Sequence, residues 1–262
     1  KSRPIGIRLL STAGKVIDVQ MPLGWWTDLE VARRSGSQVA QREGITVVRT
    51  PQNPQYYWGN FVLVGADVPA AAAQAAFHQA FPAADYEAIG LLGEPPAGQW
   101  ASVEVNEVRS TRSCPQAVPV DGYRLAPLRG DDWRQAWRNE VADMPSSYTD
   151  FAWRRIQARE RMTTTGDACF VGAFLDDRLV ADLGIVVCGS IARYQSVSTV
   201  PDHRGQGLAS WLLACAGRWA QQRGVDQWVI LSEPDSAASR LYGRLGLTLV
   251  ERAYQVEKVP VQ

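Results

Sequence analysis

Between Ser196 and Ser210 the chain sets out the means to hold a phosphate: Ser-Val-Ser-Thr-Val, then Pro-Asp-His-Arg, then Gly-Gln-Gly-Leu-Ala-Ser. Gly205 and Gly207 lack side chains, so their amides can come close to a ligand. They stand just ahead of a run in which Leu208, Leu212, Cys215 and Trp219 recur at helical spacing. A helix that begins right after bare amides presents unpaired N–H groups and the positive end of its dipole, and both favour an anion. Two other readings of the glycines compete. They could simply make a tight turn. Gly205 to Ser210 also fits a loose dinucleotide-binding fingerprint, with Asp226 near the place of the ribose-binding acid. The 55 residues after Gly207 are too few, however, for the remaining strand–helix units of such a sheet.

The loop needs a strand before it and a helix after it. Val197 and Val200 suit a strand, which Pro201 ends because proline cannot donate to a ladder. Downstream, Trp228-Val229-Ile230-Leu231 is a buried-strand run, and Glu233-Pro234-Asp235-Ser236 leads into a second helix. Asp235 or Ser236 can cap that helix, Ala238, Leu241 and Leu245 form its apolar face, and Gly246 stops it. Residues 248–259 make a final strand or hairpin. Upstream, the pattern predicts a strand at 123–128, helices at 131–142 and 150–162, and strands at 168–175, 179–188 and 191–199.

Arg204, Gly207 and Ala209 resemble the acetyl-CoA signature of the GNAT-type N-acetyltransferases. Ala238, Leu241, Tyr242, Gly246 and Leu247 resemble the second signature of that family, with Asp235 where Asn is usual and Leu247 where Phe is usual. The resemblance covers about residues 122 to 259. It implies a mixed central sheet flanked by helices, and acetyl-CoA as co-substrate with no metal. Transfer would go directly to a primary amine of a small molecule or peptide. Ser198, Thr199 and Val200 would line the pantetheine arm, with a backbone amide near Val200 polarising the acetyl carbonyl. The amides of Gly205, Gln206, Gly207, Leu208, Ala209 and Ser210 would receive the pyrophosphate beside Arg204, and Asp235 lies near the cofactor. Tyr242 would donate to the departing sulfur. The general base is open: Glu233 is the first choice, Asp182 and Asp150 follow, and a water chain from Ser198 would also serve. Tyr148 and Asp150, between the two first helices, would line the acceptor pocket. The rival from another class is a CoA-binding regulatory or interaction module without turnover, supported by the neutral strand before the loop and by Asp235.

Composition narrows the partners. The chain has 27 basic and 27 acidic residues, ten of each sign before residue 120 and seventeen of each after it, so neither half favours nucleic acid or an anionic membrane. Four scattered cysteines and two histidines give no zinc spacing, and a reducing, cytoplasmic setting is the simplest account. No apolar run is long enough to cross a bilayer, and the oligomeric state is monomer or homodimer. Residues 109–119, with two prolines and no hydrophobic period, read as a linker between an N-terminal domain at 1–112 and the acetyltransferase domain at 120–262. The N-terminal part is α/β or α+β: a helix at 28–34, strands at 45–50, 57–64, 86–92 and 104–110, and an alanine-rich helix at 69–81. It is either a degenerate second copy, as in tandem GNAT proteins, or an unrelated accessory domain. Its nearest glycine loop, Gly90 to Gly93, runs into Glu94-Pro95-Pro96, which suits no phosphate.

Overall fold

Runs such as Phe61-Val62-Leu63-Val64, and the stretch from Leu179 to Val186, are apolar or small at most successive positions, so the strands they form need cover on both faces. The computed structural model describes residues 6–10, 16–42 and 44–259. Its first half contains β1 (Gly6–Leu10), β2 (Val16–Gln20), α1 (Leu23–Arg34), β3 (Gln38–Arg42), β4 (Ile45–Arg49), β5 (Phe61–Val64), α2 (Ala70–Ala80), β6 (Glu87–Leu91) and β7 (Glu104–Thr111). The second half contains β8 (Arg124–Pro127), α3 (Asp132–Val141), α4 (Thr149–Thr164), β9 (Ala168–Leu175), β10 (Arg178–Cys188) and β11 (Ile191–Thr199). It continues with α5 (Leu208–Gln221), β12 (Gln227–Ser232), α6 (Ala237–Arg244) and β13 (Thr248–Lys258).

Strands β1 and β2 form a separate hairpin. The other eleven make one mixed, mostly antiparallel sheet in the order β3-β4-β5-β6-β13-β7-β12-β11-β10-β9-β8. Each half has one parallel pair, β5 with β6 and β11 with β12, and each pair is joined by a crossover containing a helix, α2 or α5. At the centre the halves exchange strands. β7, from the first half, pairs with β12, while the C-terminal β13 pairs with β6, and β7 and β13 pair with each other.

Helix α5 covers one face of the second half, setting Leu208, Leu212, Leu213 and Ala216 against Val180, Leu183, Tyr194 and Trp228. Two polar handles tie it to the sheet: Tyr194 Oη donates to the Leu213 carbonyl (2.9 Å) and Trp228 Nε1 to that of Gly217 (3.2 Å). Helices α3 and α4 cover the other face with Trp133, Ile156 and Met162 against Leu128, Phe170 and Val186. In the first half, Trp25 and Leu29 of α1 and Phe77 of α2 bury the strands around Val62, Leu63, Ile89 and Leu91. Each such large apolar side chain contributes roughly 1.5–3 kcal/mol.

Departures from expectation have local causes. Helix α1 starts at Leu23 rather than 28, because Trp25 is drawn into the core and the Gly24 amide donates to Glu251 Oε1 (2.6 Å). Tyr57–Gly59 is a 3₁₀ turn rather than strand, with Tyr57 stacked on Tyr86 at 4.1 Å. The segment expected to be a linker is partly strand: Arg109, Ser110 and Thr111 pair with Ile230, Val229 and Trp228. Strands β1, β2 and β3 were not foreseen.

The exchange makes a test. Residues 120–262 expressed alone lack β7, which lies between β12 and β13, so we expect this fragment to be aggregated or unfolded by gel filtration and circular dichroism. Supplying residues 1–119 as a separate chain in the same cell should restore a soluble complex. A well-folded lone fragment would mean that the central pairing is dispensable.

Candidate active site

Strands β11 and β12 pair only from Ile191 to Arg193, opposite Gln227 to Val229, and then part. The cause lies on the other edge of β11. Between Asp182–Ser198 and Gly184–Gln195, two residues, Ser196 and Val197, oppose the single Leu183, and Ser196 adopts φ +52°. Such a bulge bends the strand and re-aims its backbone. The result is a cleft whose wall is the unpaired backbone edge of β11 from Tyr194 to Thr199. The first half has no such opening. There β5 and β6 stay paired to Val64 and Leu91, and the Leu92 amide still donates to the Val64 carbonyl at 2.8 Å. Gly90, foreseen as the nearest glycine loop, is inside β6 under the Trp25 ring, where an added Cβ would come within 2.6 Å of it.

At the open end of the cleft, Pro201–His203 form a 3₁₀ turn, followed by Gly205 (φ +77°) and Gly207 (φ +86°), the latter at the N-cap of α5. Both need left-handed backbone, which is why glycine stands there. Among the described residues, no protein group accepts from the amides of residues 205–210; the first amide of α5 with a partner is that of Trp211, on the Gly207 carbonyl (3.1 Å). Those six amides are left without a protein acceptor among the described residues. The Leu208 side chain is in the core, so only its backbone can take part. Arg204 is exposed, and its Nε donates to the Thr199 carbonyl (3.1 Å).

Tyr123, which sequence reasoning overlooked, holds this loop from outside. Its hydroxyl donates to Gln206 Oε1 (2.6 Å) and lies 2.8 Å from His203 Nδ1. Nothing local marks it, because its partners are about eighty residues away.

One expectation needs adjusting. The Val200 amide already donates to the Val180 carbonyl (2.9 Å) and so points away from the cleft. By the alternation of a strand, the backbone groups of Thr199 and Val197 point the other way, into it.

Tyr242 lies on α6 with its ring buried, 4% exposed, among the residues packed on α5. Its hydroxyl has no hydrogen-bond partner among the described residues, and burial pushes its pKa up to about 12, with Arg193 pulling slightly the other way. Helix α6 is capped by Ser236, whose Oγ accepts from the Ser239 amide (3.0 Å). Asp235 occupies the left-handed position before it (φ +55°), a conformation Asp tolerates as Asn does. Ser239 in turn donates to Glu107 Oε2 (2.6 Å), which also accepts from Arg109, fixing α6 to β7.

The carboxylates separate by environment. Glu233 is exposed just beyond β12, at the mouth of the cleft. Asp150 is exposed near the start of α4. Asp182 is buried, directly opposite the exposed Ser198, so both side chains share the face of the sheet that α3 and α4 cover. Burial pushes Asp182 up to about 7; Arg159 opposes this and Glu140 adds to it. Tyr148 is half-buried, edge-on to Phe151 at 5.3 Å.

Residues 129–247 match the model of the acetyltransferase (GNAT) family. No curated protein matches the chain. Solved structures match over both halves. A GCN5-related N-acetyltransferase from Kribbella flavida has a TM-score of 0.61 at 18% identity, over 89% of this chain and 93% of that one. A functionally unknown conserved protein from Staphylococcus epidermidis ATCC 12228 gives 0.66 at 12%, over 86% and 95%. A tandem GNAT protein from the clavulanic acid biosynthesis pathway gives 0.52 at 13%, over 91% and 95%. Residues 129–247 thus carry the match to the acetyltransferase (GNAT) family, in a chain whose fold is shared with these structures along almost its whole length.

Asp182 offers a measurement independent of activity. Its carboxyl is raised to about 7 in the fold, above an unfolded value of about 3.9. It therefore favours the folded state at low pH, and that contribution is lost as pH rises to 7. Asp182→Asn should stabilise the fold relative to wild type at pH 8 by on the order of 1–3 kcal/mol, seen as a higher melting temperature, and the gain should vanish near pH 4. An identical gain at both pH values would show that Asp182 is not held in this way.

Proposed function

We propose that this protein is an acetyl-CoA-dependent N-acetyltransferase that moves an acetyl group directly to a primary amine. The observation that carries this reading is the pairing of six free amides at the start of α5 with an unpaired edge of β11 leading away from them. A diphosphate fits the first and an amide-containing arm fits the second. The left-handed glycines leave open space at Gly205, and only Val120 lies near Gly207.

The residues divide the work as follows. The amides of residues 205–210 and the guanidinium of Arg204 hold the phosphates, with Asp235 near the same end of the cleft. Backbone groups of Val197 and Thr199 face the arm, and one of their N–H groups supports the charge that grows on the acyl oxygen. Asp182, reached through the Ser198 hydroxyl or a water on it, takes the proton that the amine nitrogen releases as its new N–C bond forms. Raised to about 7, this carboxyl is better poised for the task than an exposed one. Glu233 stands at the mouth, where it draws a cationic amine inward. As the C–S bond breaks, Tyr242 donates a hydrogen bond to the sulfur. At about 12 its hydroxyl stays protonated throughout, so it stabilises the departing thiolate without surrendering its proton.

We read the first half as a second copy of the same domain that has lost its cofactor site, with the division between halves at 112–120. The matching order of strands outward from β7 and β13 supports this, and so does the closed β5–β6 pair. Binding should then be one acetyl-CoA per chain by calorimetry; two would reveal a second site. Gly207→Glu should abolish that binding while the protein stays folded by circular dichroism, its stability lowered by about 1–2 kcal/mol through the left-handed backbone at that position.

Tyr242→Phe keeps the ring and should lower kcat by about 10²-fold, the lower end for such groups, with acetyl-CoA affinity unchanged. Asp182→Asn should lower kcat by a similar factor of about 10²–10³ and remove the acidic limb of the pH profile. Tight acetyl-CoA binding with no thiol release for any amine would favour a regulatory module instead.

A further inference from the structure

A groove of about 940 Å³ lies between the first half and the start of α4. Its walls include the 3₁₀ segment Tyr57-Trp58 with Tyr86 on one side, and Tyr148 and Phe151 on the other. Tyr57 is stacked on Tyr86, and Trp58 Nε1 donates to Glu257 Oε2 at 2.5 Å. That is the only side-chain partner of Glu257 among the described residues. Burial pushes this carboxyl up, Trp58 works against the rise, and Glu104 adds to it. Arg155, the cation in the wall, is already engaged: it sits 4.9 Å over the Tyr56 ring and 3.4 Å from Glu140.

The groove leads toward the reaction centre. Tyr56 and Arg155 also line a second cavity of about 100 Å³ that ends on Gln195 and Ser196, at the bulge of β11. In that neck Asn53 is 4% exposed. Its Nδ2 donates to the Phe151 carbonyl (2.9 Å), but its Oδ1 is buried with no partner. The neck also carries Arg154, Arg155, Arg159 and Arg161; Arg154 donates to the Gln52 carbonyl, and Arg155 and Arg159 pair with Glu140. Toward the groove stand acceptors: the orphaned Asn53 oxygen, then the carboxylates of Glu257, which has Trp58 on one oxygen, and Asp85 among aromatic faces. Such a set is complementary to N–H donors and to organic cations, which aromatic faces attract.

We infer that the acceptor is a diamine or longer polyamine-like molecule, whose second ammonium group lies in the aromatic groove against Glu257 while its reacting amine passes Asn53 to reach Ser196. A small monoamine would leave most of the groove unfilled and the Glu257 carboxylate with Trp58 as its one side-chain partner among the described residues. The choice of reacting amine rests on the acetyltransferase reading; binding of the second ammonium does not.

The test separates the two. Calorimetry on the full chain without acetyl-CoA compares hexamethylenediamine with n-hexylamine, and octamethylenediamine with n-octylamine, each pair differing by one ammonium. We expect at least one diamine to bind about tenfold more tightly than its monoamine. Glu257→Gln keeps an acceptor for Trp58 and should abolish that advantage; Tyr57→Leu, away from the sheet, should reduce it. Equal affinities within both pairs, or an advantage that survives Glu257→Gln, would overturn the inference. In turnover, Glu257→Gln should raise KM for the diamine about tenfold and leave kcat unchanged. A diamine preference in binding with no acetylation of any amine would sustain the groove and defeat the acetyltransferase reading.

Discussion

One extra residue in β11 governs the architecture around it. With Ser196 and Val197 opposite Leu183, the strand bends away from β12 beyond Arg193, and the sheet parts where a continuous ladder would have sealed it. Every feature of the candidate site follows from that parting. The β11 backbone edge is free because β12 has left it. The turn at Pro201 and the start of α5 stand at the open end because the bent strand delivers them there. Asp182 and Ser198 are opposite one another next to the irregularity. The first half shows the contrary case: β5 has no such residue, its parallel pair stays closed, and Trp25 lies over Gly90 with its Nε1 on the Leu91 carbonyl (2.9 Å). Of two similar frames, only the bulged one has room for a ligand between its parallel strands.

The exchange of β7 and β13 ties the frames together more firmly than surface contact would. Glu107 on β7 reaches Ser239 on α6, so the helix bearing Tyr242 is positioned by a strand of the other half. Glu251 on β13 reaches the first turn of α1. The aromatic groove likewise takes walls from both halves. A half without a cofactor loop can thus still shape the site, through the strand it lends and the surface it presents.

The second half was largely legible in the sequence, because its signals are local. Gly205, Gly207 and Gly246 stand where left-handed backbone is required, and α5 and α6 show helical periodicity right up to their caps. What escaped notice depends on residues far apart. Ser196 takes its unusual φ because of register with β10, and Ser-Val-Ser reads as ordinary strand. Ser110 and Thr111 look like loop until β12 lies beside them. Tyr123, Asn53 and Glu257 look like surface residues of no distinction. Their roles arise from partners that the fold brings to them. Among the carboxylates, sequence ranked Glu233 by its place near a motif, whereas the burial that distinguishes Asp182 is a tertiary property.

The same exchange has a cost during synthesis. The edge of β6, with Ile89 and Leu91 fully buried in the finished protein, has no partner until β13 leaves the ribosome. The Gly24 amide waits for Glu251, 227 residues later. At typical elongation rates that interval is roughly 10–45 s. From the completion of β6 onward the nascent chain presents an unpaired, apolar strand edge, the kind of surface that recruits other strands. A polypeptide built this way must keep that edge occupied or apart until β13 arrives.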